Sequence, residues 1–210
     1  MYRRLRVLDV SSRFDMTHKP KILAFSGSLR EYSYNKRVLK TAINGAEKAG
    51  AHVTYLDLRD YPLPVYDEDD EEQNGFHENA RKLQALLVQH DGLLIASPEH
   101  NGSVSAALKN VIDWTSRKGD TYERSKVFTG KFAAILTAAP GSSGGVRSLV
   151  HLRGILTSVG VNVLAAEVAV PYVASKFEGD GGEMIDERMK QRLDTLGASL
   201  VAILRRTTSE

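Results

Sequence analysis

Five short apolar segments alternate with longer segments of helical periodicity, and this alternation constrains the fold more than any other feature of the chain. Strands buried on both faces of a parallel sheet have continuous apolar sequences, and each is joined to the next by a crossover. The apolar segments lie at residues 22–25, 53–58, 92–96, 132–138 and 161–170. The pattern therefore predicts an α/β fold with five parallel strands.

The intervening segments repeat apolar residues at the three- and four-residue spacing of helices that cover a sheet. The first lies at residues 38–46 and the last at residues 185–204. Repeated strand and helix units favour an open sheet with helices on both faces. We therefore expect a flavodoxin-like, doubly wound parallel sheet of five strands, in the order 2-1-3-4-5, within a three-layer α/β/α architecture.

Length and composition favour one domain without charge-driven partners. The chain has 210 residues, of which 42% are hydrophobic, and this is enough for one core. Its net charge of +2 gives no general attraction to nucleic acid, so no nucleic-acid partner is expected. The sequence has no cysteine, which excludes disulfides, thiolate metal ligands and cysteine nucleophiles.

The N-terminal residues begin with arginines but contain no apolar stretch of roughly 7 to 15 residues, so they do not resemble a secretory signal. No segment reaches the roughly 18 apolar residues of a membrane helix. We expect residues 1–19 to form a disordered extension and residues 20–206 to form a single domain. The protein should be cytoplasmic, without membrane insertion.

An acidic run from Asp67 to Glu72 is the one strongly biased stretch of the sequence. It lacks the spaced oxygen ligands and the glycine of a calcium-binding loop, so we interpret it as a solvated loop. No metal site is predicted.

Ligands of open α/β sheets bind beyond the carboxyl ends of the strands, which directs attention to the turns after strands one, three and four. The free N–H groups of a helix start, together with hydroxyl, amide and guanidinium donors, can bind a phosphate. Alternatively, Gly27 forms a turn, Ser33 caps the helix and Arg30 is merely exposed. No dinucleotide or Walker glycine pattern is present, so a single phosphate is favoured. The candidate donors are Ser26, Ser28, Arg30, Ser33 and Asn35.

The turn after the third strand has the composition of a wall for a flat heteroaromatic ring. Pro98 and Gly102 shape the loop, and a helix should begin near Ser103 or Ser105. Trp114 should pack at the end of that helix. The polar groups offered to a ring are those of Glu99, His100 and Asn101, and the alternative is that they lie on an ordinary surface loop.

The turn after the fourth strand places two serines and two glycines directly before a helix. Backbone N–H groups in such a turn suit an anionic or carbonyl-rich ligand edge, although a flexible turn is the alternative. All three turns leave the same edge of the predicted sheet, which favours one shared site. The residues of this third turn are Ser142, Ser143, Gly144 and Gly145.

Together these motifs resemble the NAD(P)H-dependent FMN reductases of flavodoxin-like fold, a family that includes quinone, azo-dye and chromate reductases. The matching stretches are GSLREYSYN, LPVYDEDDEE, SPEHNGSVSAALKNVIDW and GSSGGVRSLVHLRGIL. The resemblance makes residues 20–206 an FMN-binding domain. The sequence departs from the family pattern at His100, where tyrosine is usual, and at Ser105 and Ala106, where Pro-Gly is usual.

The resemblance implies a role for each turn. The FMN phosphate would lie at the first turn, the isoalloxazine ring at Pro98 to Gly102, and Ser142 to Gly145 would close the flavin edge. It also implies homodimers or homotetramers formed through the helices after strands three and four. The residues consistent with such an interface are Val111, Trp114 and Val150, near Arg147 and His151.

The activity implied is that of a ping-pong oxidoreductase. NADPH or NADH would give hydride to FMN, and a small-molecule acceptor such as a quinone, free flavin, azo compound or chromate would take the electrons. No catalytic side chain is expected. The alternative is a flavodoxin-like electron carrier or flavin-binding regulatory module, although Arg30 and the net charge of +2 count against a carrier. A flavin-free hydrolase would need a nucleophile beside a base, and no such arrangement is apparent.

Overall fold

A computed structural model describes residues 19–119, 121–179 and 181–207 of the chain. Within these residues, one sheet of five parallel strands has the order β2-β1-β3-β4-β5. This arrangement confirms the predicted α/β class and the flavodoxin-like strand order. The strands are β1 (Lys21–Ser26), β2 (His52–Leu56), β3 (Gly92–Ala96), β4 (Phe132–Ala138) and β5 (Asn162–Val170).

Helices cover both faces of the sheet, as the three-layer prediction requires. One face packs against α1 and α7, and the other packs against α3, α4 and α6. Short 3-10 turns lie at Leu58–Asp60 and Val173–Lys176. The helices are α1 (Tyr34–Lys48), α2 (Glu68–Asn74), α3 (Glu78–Gln89), α4 (Ala106–Thr115), α5 (Arg124–Val127), α6 (Val146–Ser158) and α7 (Glu187–Thr207).

Burial on both faces explains why the strands have continuous apolar sequences. In β1, Ile22 and Ala24 pack toward the α1 and α7 layer, whereas Leu23 and Phe25 pack toward the opposite layer. Every residue of β3 is buried. Successive side chains of a strand point to opposite faces, so a central strand between two helical layers needs apolar residues at every position.

Glycine allows α1 and α7 to pack closely. A Cβ atom on Gly197 would lie 2.1 Å from the carbonyl oxygen of Ala42, and one on Gly45 would lie 2.2 Å from that of Asp194. Both contacts are with backbone atoms, which cannot turn aside as a flexible side chain can. The helix pair therefore depends on glycine on each side of its contact.

The acidic run is a helix, so its interpretation as a loop is wrong. Asp67 caps α2 by accepting a hydrogen bond from the N–H of Asp69 at 3.0 Å. Four acidic residues then occupy the first turn, where the helix dipole favours negative charge. No residue of α2 is buried, so the run is exposed as expected.

Trp114 packs inside the chain, which confirms its predicted packing role. Its ring makes edge contacts with Tyr66 and Phe76, and its indole N–H donates to the carbonyl of Pro64 at 2.8 Å. Val111 is also buried. The expectation that Val111 and Trp114 contribute apolar surface to a subunit interface is therefore wrong.

Apart from Lys19, the prediction for residues 1–19 falls outside the described residues. In the part of the chain that is described, no helix is long and apolar enough to cross a membrane. The same residues contain no group of three or more His, Asp or Glu side chains that could hold a metal ion.

Candidate active site

Direct hydrogen bonds join the three loops at the carboxyl ends of β1, β3 and β4. The N–H of Gly27 donates to Ala96 at 2.9 Å, and its carbonyl accepts from the Ser105 hydroxyl at 2.6 Å. The Ser148 hydroxyl donates to the carbonyl of Ser97 at 3.2 Å. Gly27 also packs closely on α4, because a Cβ atom there would lie 2.8 Å from the Cβ of Leu108. The first loop therefore rests on α4, and the loop after β3 rests on α6.

The hydroxyl groups of the first loop are arranged as donors. The Oγ of Ser26 accepts from the N–H of Ser28 at 3.2 Å, and the Oγ of Ser28 accepts from the N–H of Arg30 at 3.3 Å. Each oxygen uses a lone pair in this way and keeps its own proton to donate elsewhere. Both serines are buried, whereas the side chain of Arg30 is exposed.

Helix α1 begins at the end of this loop without a side-chain cap. Ser33 occupies the N-cap position with extended backbone and is buried, but its hydroxyl makes no capping hydrogen bond. The first N–H groups of a helix have no partner within the helix and carry the positive end of its dipole. The start of α1 therefore offers uncapped donors beside the hydroxyls of Ser26 and Ser28.

Asn35 joins α1 to the end of β4. Its Nδ2 donates to the carbonyl of Ala138 at 2.9 Å, and its Oδ1 accepts from the N–H of Ala138 at 2.9 Å. The carbonyl of Leu136 accepts a hydrogen bond from the N–H of Ser97, directly after β3. The backbone groups of Ala138, two residues further along β4, face the same side, but β3 has already ended there. The Asn35 amide thus replaces the missing strand, and one amide proton remains for any ligand.

A charged cluster lies beside the start of α1. Lys36 donates to both carboxylate oxygens of Asp57, at 2.9 and 2.7 Å, and Arg59 donates to Asp57 through Nε and Nη2 at 3.1 and 3.0 Å. Burial opposes ionisation of Asp57, but the hydrogen bonds from Arg59 and Lys36 outweigh it and lower its pKa to about 2. Asp57 is therefore a carboxylate at any neutral pH.

The loop after β3 contains a tight two-residue turn at His100 to Ser103. The N–H of each of these residues donates to the carbonyl of the other, at 2.9 and 3.0 Å. Asn101 and Gly102 have φ values of 51° and 77°, and two positive φ angles between such bonds are the signature of a type I′ turn. Asn-Gly is the preferred sequence for this turn, and it leaves His100 and Asn101 exposed.

Glu99 points toward α6. Its Oε2 accepts from the backbone N–H of Arg147 at 3.0 Å, and its Oε1 lies 3.5 Å from the Arg147 guanidinium. One helical turn later, the Nδ1 of His151 lies 2.8 Å from the hydroxyl of Ser103. The carboxylate predicted to face a ring thus caps α6, and both ends of the type I′ turn are held by the same helix.

The loop after β4 is a glycine turn pressed against β4 and the end of β5. Gly144 and Gly145 have φ values of 63° and 90°, and a Cβ atom on Gly145 would lie 2.4 Å from the Oγ1 of Thr137. Ser142 and Ser143 are exposed. Within the described ranges, the N–H groups of Ser142, Ser143 and Gly145 have no hydrogen-bond acceptor. The loop therefore holds three backbone donors that are free to bind a ligand.

The donors of the first loop and of the loop after β4 suit the phosphate and the ring of FMN. A phosphate needs several converging donors, and the first loop supplies hydroxyl protons, an uncapped helix start and Arg30. The polar edge of the isoalloxazine ring carries carbonyl oxygens, which the free N–H groups of Ser142, Ser143 and Gly145 can satisfy. The residues therefore fit FMN in both respects.

Comparison with known proteins identifies the family. A sequence profile described as NADPH-dependent FMN reductase matches residues 20–175. The chain belongs to this family. An NAD(P)H-dependent FMN reductase of Pseudomonas aeruginosa is 34% identical over 177 residues, which cover 84% of this chain and 90% of that protein. A quinone reductase of Escherichia coli is 34% identical over 188 residues, covering 89% of this chain and 95% of the relative.

Solved structures agree with this membership. An NAD(P)H:(acceptor) oxidoreductase of Paracoccus denitrificans superimposes with a TM-score of 0.75 at 25% identity, covering 89% of this chain and 98% of the other. A flavodoxin from the Archaea, with a TM-score of 0.59 at 12% identity, shares only the fold. Membership confirms the oxidoreductase class, FMN as the cofactor and NAD(P)H as the electron donor.

The sequence did not reveal which residues hold these loops in place through hydrogen bonds to distant parts of the chain. Lys36 and Asp57 lie 21 residues apart, and Asn35 and Ala138 lie 103 apart. No local motif relates such pairs. One signal was available for Ser105, which was expected near a helix start, and its Oγ indeed caps α4 by accepting from the N–H of Leu108 at 3.2 Å.

Proposed function

We propose that this protein passes hydride from NADPH or NADH through bound FMN to a small-molecule acceptor, with quinones as the first class to test. The observation that carries the proposal is the convergence of three donor-bearing loops in a chain of the FMN reductase family. Relatives named quinone reductase and NADPH:quinone oxidoreductase support the choice of acceptor. We also propose a cytoplasmic location, where NAD(P)H is supplied.

The proposed cofactor contacts divide among the loops. Ser26, Ser28, Arg30 and Ser33 would bind the phosphate, with Asn35 holding the helix start in place. The ring would lie at Pro98, Asn101 and Gly102 with His100 at its rim, and Glu99 would act by capping α6. The N–H groups of Ser142, Ser143 and Gly145 would donate to the carbonyl edge of the ring.

Bound FMN supplies the redox chemistry, accepting hydride from NAD(P)H and passing electrons to the acceptor. The chain contributes position and electrostatics. The N–H groups of Ser142, Ser143 and Gly145 would favour negative charge on the ring edge bound to them, since fixed dipoles need no reorganisation during the reaction. No side chain is assigned a proton-transfer step.

The decisive experiment adds FMN to the purified flavin-free protein and follows quenching of flavin fluorescence, then NADPH oxidation with a soluble benzoquinone. We expect saturable FMN binding and FMN-dependent NADPH oxidation, with the parallel double-reciprocal lines of a ping-pong mechanism. Binding of FMN without NADPH oxidation would favour the carrier or regulatory alternative. Failure to bind FMN would contradict both.

Arg30→Ala tests the phosphate assignment. Loss of a charge-assisted hydrogen bond to the phosphate should raise the FMN dissociation constant about ten- to a hundredfold. Riboflavin, which lacks the phosphate, should bind this variant as it binds the wild type. Arg206→Ala removes an exposed arginine from the last turn of α7 and is the matched control. An unchanged FMN affinity in Arg30→Ala would remove Arg30 from the phosphate site.

We further propose that the protein is a homodimer or homotetramer that associates through the outer surfaces of α4 and α6. Val150 is 64% exposed on α6, near Arg147 and His151. Light scattering should give a dimeric or tetrameric mass for the wild type and a smaller mass for Val150→Glu. The control is Ile185→Glu, at a residue that is 59% exposed just before α7. A monomeric wild type would contradict this assignment.

A further inference from the structure

Lys36 is buried although it carries a charge, with 5% of its surface exposed. Its ammonium donates to both oxygens of the Asp57 carboxylate. Lysine is seldom buried without such a partner, and a cation in the first turn of a helix opposes the helix dipole. Lys36 therefore does not stabilise α1 through the helix dipole. The role of its ion pair with Asp57 is better sought in the two elements that the pair connects.

The pair connects the start of α1 to the end of β2. Asp57 directly follows β2, and its carboxylate also accepts from the backbone N–H, Nε and Nη2 of Arg59. The carboxylate is therefore fixed within its own turn before it meets Lys36. Because the Asp57 carboxylate is fixed and accepts two short hydrogen bonds from the Lys36 ammonium, it restricts where the start of α1 can lie.

Two consecutive residues tie this helix start to opposite sides of β1. Asn35 bonds to Ala138 at the end of β4, and Lys36 bonds to Asp57 at the end of β2. The strand order places β2 on one side of β1 and both β3 and β4 on the other. The loop of residues 27–33 leaves β1 between these two ties, so its far end cannot shift toward either edge of the sheet.

A third, weaker contact reaches the loop itself. Nη1 of Arg59 lies 3.9 Å from a carboxylate oxygen of Glu31, and both side chains are well exposed. Exposed ion pairs of this kind contribute little. The shorter bonds between the buried Lys36 and the partly buried Asp57 are therefore the main tie on the β2 side.

We propose that Lys36 and Asp57 are positioning residues for the cofactor phosphate, which hold the start of α1 and residues 27–33 in a phosphate-binding geometry without touching the ligand. The inference rests on the proposed function and deepens it, because it names a residue pair that sets the affinity for one part of FMN. Riboflavin has the same ring but no phosphate. Loss of the pair should therefore weaken FMN binding selectively.

Lys36→Met is the variant of choice, because methionine keeps most of the apolar stem and Asp57 keeps its bonds to Arg59. Fluorescence titration of the flavin-free protein should show an FMN dissociation constant raised about tenfold and a riboflavin constant changed less than about twofold. Lys48→Met is the matched control, because Lys48 lies at the other end of α1 and pairs with Asp194 at 3.2 Å. It should leave both constants unchanged.

Hydrogen exchange supplies a readout that does not depend on flavin. In the flavin-free protein, amides of residues 27–36 should exchange faster in Lys36→Met than in the wild type and unchanged in Lys48→Met. Unchanged FMN affinity, an equal loss for both flavins, or unchanged exchange overturns the proposal. If the wild type binds neither flavin while exchange still rises in Lys36→Met, the proposed function fails and the ordering role of the pair stands.

Discussion

Replacing Asn35 with alanine should destabilise the protein more than the loss of an ordinary surface amide. The Asn35 side chain makes two 2.9 Å hydrogen bonds, one to the N–H and one to the carbonyl of Ala138. Ala138 is 5% exposed and faces the side of β4 where β3 has already ended. Removal of the amide therefore leaves two buried backbone groups without partners.

The magnitude follows from those two groups. A buried donor or acceptor left without a partner costs about 1–3 kcal/mol, so two of them predict a loss of about 2–6 kcal/mol for Asn35→Ala. Total stabilities of domains are about 5–15 kcal/mol. For a protein of this length each kcal/mol shifts Tm by about 2–4 °C, so the melting temperature should fall by roughly 5 °C or more.

Asn110 provides a matched control. Its Oδ1 accepts from the N–H of Tyr66 at 2.9 Å and its Nδ2 donates to the carbonyl of Pro64 at 2.8 Å. The chemistry is the same, but these bonds lie nearer the solvent, so water can replace the lost partners in Asn110→Ala. Its loss should be about 1 kcal/mol or less.

The assay is urea unfolding of the flavin-free forms of the wild type and both variants, followed by circular dichroism. The difference between Asn35→Ala and Asn110→Ala isolates the effect of burial from that of the amide. A loss below about 1 kcal/mol for Asn35→Ala, or equal losses for the two variants, would refute the assignment of Asn35 as a substitute for the missing strand.

Two other substitutions test the packing and the charged cluster. Gly197→Ala should destabilise the protein by about 3 kcal/mol in urea unfolding, because its Cβ would lie 2.1 Å from the Ala42 carbonyl oxygen; a loss below about 1 kcal/mol would contradict this close helix packing. The lowered pKa of Asp57, about 2, contributes stability that is complete above the ordinary pKa of 3.8 and lost as pH falls through 2. In an acid titration, the free energy of unfolding of the wild type should therefore fall by about 2 kcal/mol over this pH range because Asp57 is protonated. Asp57→Asn should lack this loss, and the same acid dependence in both proteins would contradict the prediction.

The sheet could be predicted from sequence because its strands are buried on both faces. Residues 92–96 and 132–138 were expected as strands and match β3 and β4 at both ends. The Asn-Gly pair at Asn101 likewise matches a turn with two positive φ angles, because few other residues adopt them at low cost. In both cases a local physical requirement leaves a local sequence pattern.

The remaining features depend on contacts that no local pattern records. Helix α2 carries no buried face, so apolar periodicity could not reveal it, and its Asp67 cap was the available signal. The bonds of Asn35 to Ala138 and of Lys36 to Asp57 depend on strand order and on where each strand ends. Those quantities become defined only when the sheet is assembled.

The polar groups of the candidate site divide into those that hold the loops in place and those that are free to bind a ligand. The carboxylate of Glu99 caps α6, the hydroxyl of Ser105 donates to the carbonyl of Gly27, and the amide of Asn35 bonds to Ala138. These three polar groups of the motif loops therefore support the structure. The free donors are backbone N–H groups, serine protons and the exposed Arg30. A polar residue in a binding motif can therefore act by fixing backbone donors, because a preorganised loop binds without the entropic cost of ordering itself.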